Sequence, residues 1–194
     1  MSNTTHDDRS LIVGLGGTTR PGSSSERALA VALDAARELG ARTELIGAVD
    51  LQLPLYAPEH DERTPAAVRL VDALAAADGV IIASPGYHGG PSGLIKNALD
   101  YTEDLRNGTR TYLDGVPVGC IVCAHGWQAT ATTLLALRSV VHALRGWPTP
   151  FGAAINSAAG AVADDDVLAQ LRLVGRQVVE FATLQRQARS AAHA

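Results

Sequence analysis

The stretch Leu11-Ile12-Val13-Gly14-Leu15-Gly16-Gly17-Thr18-Thr19-Arg20-Pro21-Gly22-Ser23-Ser24-Ser25-Glu26 decides the fold of this chain. It opens with an apolar run short enough for a buried strand, passes through glycines and hydroxyls, and enters a helical pattern near Ser24. Such a loop brings hydroxyls, backbone N–H groups and one guanidinium to the positive end of a helix, a setting suited to a dianionic phosphate. Two familiar phosphate loops are excluded. A dinucleotide fingerprint counted from Gly14 and Gly16 needs glycine where Thr19 stands, and a triphosphate loop counted from Gly17 to Gly22 needs lysine where Ser23 stands. A monophosphate held by Thr18, Arg20, Ser23 and Ser25 is the better match. The same residues also suit a helix cap alone, because Ser23 and Glu26 have the spacing of a capping box.

The composition narrows the setting. A chain of 194 residues is the size of one domain with a substantial core. A net charge of -4, with scattered arginines and a single lysine, Lys96, provides no basic stripe for nucleic acid. The polar start Met1–Ser10 lacks the basic and apolar parts of a secretory signal, and no apolar run reaches the ~20 residues of a membrane span. A soluble, cytoplasmic protein is expected. Cys120 and Cys123 fall inside the apolar run Val116–Ala124, and residues three apart on a strand face opposite ways, so these thiols are read as packing rather than as a redox or metal pair.

Along the chain, Glu26–Gly40 carries Leu29, Ala32, Leu33, Ala36 and Leu39 at helical spacing. Thr43–Leu55 reads as a second strand and Ala57–Arg63 as a surface loop. Thr64 and Pro65 give an N-cap and a first-turn proline for a helix that stops at Asp78-Gly79. Val80-Ile81-Ile82 reads as a strand covered on both sides. After the turn-rich Ser84–Pro91, helices are expected over Ser92–Leu105 and Gln128–Arg145, strands over Val116–Ala124 and Thr149–Asn156, and a last helix from Asp164–Asp166 onward. Five strands alternating with five helices predict a three-layer α/β/α sandwich with right-handed crossovers. A flavodoxin-like order 2-1-3-4-5 places the first and third loops side by side at the switch point.

The stretch Ser84-Pro85-Gly86-Tyr87-His88-Gly89-Gly90-Pro91-Ser92-Gly93-Leu94-Ile95-Lys96-Asn97-Ala98-Leu99-Asp100-Tyr101 resembles the signature of the NAD(P)H-dependent FMN reductase family. That signature is a Pro-x-Tyr-Asn turn followed by Pro-Gly-x-Leu-Lys-Asn-Ala-Ile/Leu-Asp-aromatic. The first loop is similar to the family's phosphate motif through Gly17, Thr18, Arg20, Ser23 and Ser25, and Leu53-Pro54-Leu55-Tyr56 to its Leu-Pro-x-Tyr segment. The resemblance implies a flavodoxin-like FMN-binding domain over residues 10–188, flanked by a flexible start (1–9) and a tail (189–194). It implies that Thr18, Arg20, Ser23 and Ser25 bind the FMN phosphate and that Pro85, Gly86, Tyr87, His88 and Gly89 border the isoalloxazine ring. It also implies that His125, Gly126 and Trp127 face the ring's pyrimidine edge. Gly86 stands where the family has glutamate, His88 where it has asparagine, and His125 and Trp127 make the third loop bulkier. Lys96 and Asp100 are one helical turn apart and can pair, and Asn97 can bond a neighbouring loop.

The implied activity is hydride transfer from NADPH or NADH to FMN, with no side chain needed as a catalytic acid and no metal. The implied partners are the nicotinamide nucleotide, the flavin, a second copy in a homodimer or tetramer, and a monooxygenase fed with reduced flavin. Onward reduction of a quinone, azo dye or metal oxyanion, and a non-enzymatic flavodoxin-like electron carrier, are the alternatives the same residues leave open.

Overall fold

The computed structural model describes residues 8–157 and 161–192. Its strands are β1 (Leu11–Gly16), β2 (Arg42–Ile46), β3 (Gly79–Tyr87), β4 (Gly90–Pro91), β5 (Pro117–Ala124), β6 (Trp147–Pro148) and β7 (Ala153–Asn156). Its helices are α1 (Ser24–Glu38), α2 (Pro65–Ala76), α3 (Gly93–Asp100), α4 (Trp127–Ala143) and α5 (Asp165–Ala192), and short 3-10 turns follow α3 and precede α5. Period-two alternation sends the strand side chains to two separate cores. Val13, Leu15, Val80, Ile82, Val118, Cys120 and Val122 pack with Leu70, Leu74, Ile95, Leu99 and Leu137 from α2, α3 and α4. Ile12, Ile81, Ala83, Ile121 and Cys123 pack with Leu29, Leu33, Leu171 and Val174 from α1 and α5. The two cysteines therefore lie on opposite faces of β5, unpaired and buried, and burial pushes both thiols up to about 12.

The sheet is a doubly wound parallel one, with β1 between β2 and β3, and β5 beyond β3. Its order, β2-β1-β3-β5 and then the fifth position, is the expected 2-1-3-4-5. The sheet has seven strands where the sequence predicts five. One extra strand is the two-residue β4, which folds back antiparallel on the end of β3. The other arises because the fifth position is divided: β6 pairs with Pro117 and Val118, and β7 with Ile121–Ala124. Between them Pro150 has no N–H to give, and the Phe151 N–H goes to Gln177 Oε1 at 3.0 Å instead of to the ladder. Trp147-Pro148, between the helix expected to end at Arg145 and the strand expected from Thr149, thus begins this edge strand. The helix end is set earlier, where Arg145 adopts φ 62° and the Gly146 N–H returns to Val141 C=O at 3.0 Å.

Other boundaries shift for local reasons. The second strand ends at Ile46, and Gly47 begins a turn closed by Leu51 N–H to Gly47 C=O at 3.1 Å. The third helix stops at Asp100 and tightens into a 3-10 turn, Tyr101–Leu105. Thr64 caps α2 as expected, its hydroxyl accepting the Ala67 N–H at 3.2 Å. At the far end of α2, Arg110 donates to the Ala77 and Leu74 carbonyls at 2.8 and 2.5 Å. The expected terminal segments 1–9 and 189–194 fall in part on residues 1–7 and 193–194, outside the described residues.

One face of the sheet is lined with glycine so that helices can come close. A Cβ on Gly14 would stand 2.6 Å from Leu33 Cδ1, and one on Gly119 would stand 2.6 Å from Val174 Cγ1. Where α1 and α5 cross, a Cβ on Gly175 would fall 2.2 Å from the Ala32 carbonyl oxygen. Burying Leu29 and Leu33 contributes about 2 kcal/mol each, against about 1 kcal/mol for a helix cap. Sheet packing holds α1 in place, and the cap decides where it starts. Gly175→Ala is expected to lower stability by about 1–3 kcal/mol through overpacking, read as a lower urea midpoint at unchanged m-value.

Candidate functional site

The first loop leaves β1 through Gly17, at φ 109°, and enters α1 at Ser23. Thr18 Oγ1 accepts the Arg20 N–H at 3.1 Å and donates to the Arg20 carbonyl at 3.2 Å, which folds the loop back on itself. Ser23 Oγ accepts the Glu26 N–H at 3.3 Å as the N-cap, and Ser23 and Ser25 hydroxyls meet at 3.4 Å. Both serines are buried, while the Arg20 side chain is exposed. Ser23 is therefore a cap, and together with Ser25, Thr18 and the exposed Arg20 it also borders one cleft.

The second loop is tighter than its sequence suggests. Ser84 Oγ, fully buried, donates to the Pro85 carbonyl at 2.8 Å and accepts the Ser92 N–H at 3.0 Å, drawing residues 84 and 92 together. Gly86 then pairs with Pro91 and Tyr87 with Gly90. The two tip residues, His88 at φ 52° and Gly89 at φ 85°, both lie in the left-handed region, as a two-residue hairpin of type I′ requires. The hairpin rests on α4: Thr133 Oγ1 donates to the Gly90 carbonyl at 3.4 Å, and a Cβ on Gly86 would stand 2.9 Å from Thr133 Oγ1. Glutamate at position 86 would have to displace α4, which is a physical reason for glycine there.

The third loop follows β5. His125 is exposed, and Gly126, at φ 104°, donates its N–H to Asn156 Oδ1 at 3.1 Å across from the end of β7. Trp127 begins α4 and is 67% exposed.

These loops enclose a cleft of about 360 Å³ at the carboxyl ends of the parallel strands, lined by Thr18, Arg20, Ser23, Ser24, Ser25, Pro85, Gly86, Tyr87, Cys123, Ala124, His125 and Ser157. His88, Gly89, Gly126 and Trp127 do not line it. His88 and Gly89 are spent on the hairpin tip, and Gly126 and Trp127 turn away into α4. Ser24, Cys123, Ala124 and Ser157 line it without having been singled out, although Cys123, Ala124 and Ser157 sit where β5 and β7 end, as the switch-point rule implies. Among the described residues, the lining holds no lysine, aspartate or glutamate. Hydroxyls, one guanidinium and a helix N-terminus fit a phosphate monoester, and the apolar Pro85, Gly86, Tyr87 and Ala124 fit a flat ring beside it.

A strap over Leu53–Arg63 is clamped to α3 and its 3-10 extension. The Tyr56 N–H goes to Asn97 Oδ1 at 2.9 Å, and Asn97 Nδ2 and Tyr101 Oη donate to the Pro54 carbonyl at 2.9 and 3.0 Å. Arg63 forks onto Asp104 at 2.7 and 2.9 Å and lies 5.0 Å from the Tyr56 ring centre. The Leu-Pro-x-Tyr and Lys-Asn-Ala-Leu-Asp-Tyr segments therefore bind each other. Lys96 pairs with Asp100 at 2.5 Å, as their spacing predicts. The hydrogen bonds from Arg63 hold the Asp104 carboxyl below the usual carboxylate range.

Taken together, the fold and cleft define a flavodoxin-like protein with a hydroxyl-lined cleft at its switch point. Comparison with known proteins takes this further: residues 10–161 match the profile of the NADPH-dependent FMN reductases, and the chain belongs to that family. It is a flavin oxidoreductase using FMN and NAD(P)H. An iron-sulfur flavoprotein of Methanocaldococcus jannaschii is 27% identical over 190 residues, covering 89% of this chain and 97% of that protein. An NADPH azoreductase of Bacillus sp. (strain OY1-2) is 47% identical over 51 residues, a match that spans 26% of this chain and 29% of the azoreductase. Among solved structures, FerB, a flavoenzyme NAD(P)H:(acceptor) oxidoreductase from Paracoccus denitrificans, has the same fold at a TM-score of 0.73 and 22% identity, covering 90% of this chain and 97% of that one. The NADH:FMN oxidoreductase EmoB also shares it, at a TM-score of 0.65 and 20% identity, covering 90% and 89%. An iron-sulfur cluster does not carry over, because this chain has only two cysteines and they face opposite cores. Among the described residues no helix is long and apolar enough to cross a membrane.

Two outcomes follow from the geometry. Gly89→Ala should destabilise the fold by about 1–2 kcal/mol, the cost of a left-handed residue with a Cβ, while His88→Asn should be neutral or stabilising; urea midpoints check both. Asp104 has a folded pKa below its unfolded value of about 3.9, so its pairing stabilises the fold above that value and is lost as pH falls through the folded one. Asp104→Asn should therefore be less stable than the parent at about pH 7 and converge with it as pH falls through the folded value, measured by denaturant titration at each pH.

Proposed function

We propose that the cleft binds FMN with its phosphate at Thr18, Arg20, Ser23 and Ser25 and its ring beside Pro85, Gly86, Tyr87 and His125, and that the enzyme reduces exchangeable FMN with a nicotinamide nucleotide. The observation that carries this reading is the convergence of a lysine-free hydroxyl-and-guanidinium loop and a hairpin-borne tyrosine on one cleft at the switch point. Bound FMN supplies the hydride-accepting ring, so the protein has no covalent chemistry of its own to perform. Arg20 neutralises phosphate charge, and the Ser23 and Ser25 hydroxyls orient it at the start of α1. Ser84 fixes the hairpin so that the backbone at 85–87 presents one constant surface to the ring. The Asn156 bond to Gly126 does the same for the third loop.

Delivery of reduced flavin to a monooxygenase in the cytoplasm fits an open cleft, and so does a homodimer or tetramer whose second copy covers the exposed Tyr87 and Trp127. A second reading, reduction of an azo compound on retained FMN, draws support from the local match to the Bacillus azoreductase. Anaerobic mixing of the FMN-loaded protein with NADPH or NADH should bleach the flavin, and steady-state NAD(P)H oxidation should saturate in added FMN. Azo-dye turnover indifferent to free FMN would favour the second reading. A flavin that stays oxidised with both nucleotides would overturn each and leave an electron carrier.

A further inference from the structure

Gly22, at the turn into α1, is gripped at both of its polar atoms by two consecutive residues of that helix. Its N–H donates to Glu26 Oε2. Its carbonyl accepts from Arg27 Nη1 at 2.6 Å. The other carboxylate oxygen of Glu26 lies against Gly47, where a built Cβ would fall 2.7 Å from it. The Glu26 N–H is itself held by Ser23 Oγ at 3.3 Å, so the half-buried carboxylate is fixed at the same first turn that sends Ser23 and Ser25 into the cleft. A capping glutamate ordinarily returns to the N-cap N–H; this one reaches one residue further back, into the loop itself.

That position has an electrostatic consequence. The positive end of a helix amounts to about half a unit charge, and Glu26 already draws on it before any ligand arrives. A phosphate dianion entering beside Ser23 and Ser25 meets a fixed negative charge as well as the guanidinium of Arg20. We propose that Glu26 is an electrostatic brake on the phosphate site, weakening the hold on FMN so that the flavin exchanges instead of remaining as a permanent group. The proposal rests on the FMN reading given above and assigns to one side chain the looseness that reading requires. Glu26 acts through charge, and it discriminates between ligands with and without a phosphate monoester. Arg20 and Arg27 keep the net field attractive.

Glu26→Gln separates charge from shape, because the amide oxygen can still accept the Gly22 N–H. Flavin-free wild-type and variant full-length protein are titrated with FMN and, in parallel, with riboflavin, following flavin fluorescence. The FMN dissociation constant of the variant should fall about three- to tenfold, the size of one screened charge interaction near a protein surface, with riboflavin unchanged. Added salt should narrow the FMN difference between the two proteins. An FMN affinity that is unchanged or weaker in the variant overturns the proposal, and so does an equal shift for both flavins, which would mean that Glu26 acts through the shape of the loop. Wild-type protein that binds neither flavin sinks the FMN reading itself, and the brake with it, a result distinguishable from binding that ignores the substitution.

Discussion

Everything at the cleft depends on how closely α1 can lie against the sheet. The face of β1, β3 and β5 beneath α1 and α5 carries Gly14, Gly79 and Gly119, and side-chain methyls of Leu33, Ile12, Val174 and Val178 occupy the space a Cβ would need. The helix thus descends onto the strands, and its N-terminus emerges beside the carboxyl ends of β1 and β3. A bulkier face would lift α1 and carry Ser23 and Ser25 out of reach of the hairpin. Core packing of several kcal/mol sets that position, while the hydrogen bonds of the loop, worth about 1 kcal/mol each, only refine it.

The loops divide the work between holding and presenting. Ser84, His88 and Gly89 are consumed in building a tight hairpin on α4, which leaves Pro85, Gly86 and Tyr87 lining the cleft. Asn156 and Gly126 build the third loop and leave His125. The strap follows the same logic, with Asn97, Tyr101 and Asp104 fastening Pro54, Tyr56 and Arg63 to α3 and its extension. A family signature that reads as one block is physically two devices, a cleft-lining turn and a clamp.

How much of this was legible in the sequence follows from which physics is local. Strand and helix identity came from periodicity, and the opposite facing of Cys120 and Cys123 from the strand repeat alone. That Thr18, Arg20, Ser23 and Ser25 share one loop was legible because they are contiguous. The division of the fifth strand was not, since it depends on Gln177, far along the chain, taking the Phe151 N–H. Nor was the hairpin legible from a run of breakers, because two left-handed residues make a turn only when Ser84 and Ser92 close it. Ser157 and Asn156 were missed because they join the site only once β7 lies beside β5. Gly126 and Trp127, by contrast, are adjacent in sequence to His125 yet turn into α4.

The proposed FMN site requires that the cleft recognise a phosphorylated flavin by its phosphate. Calorimetric titration of flavin-free protein with FMN, riboflavin and ATP measures this directly. It predicts one FMN per chain, bound at least about tenfold more tightly than riboflavin, and no heat with ATP. Equal affinity for FMN and riboflavin, or binding of ATP in place of FMN, would contradict it.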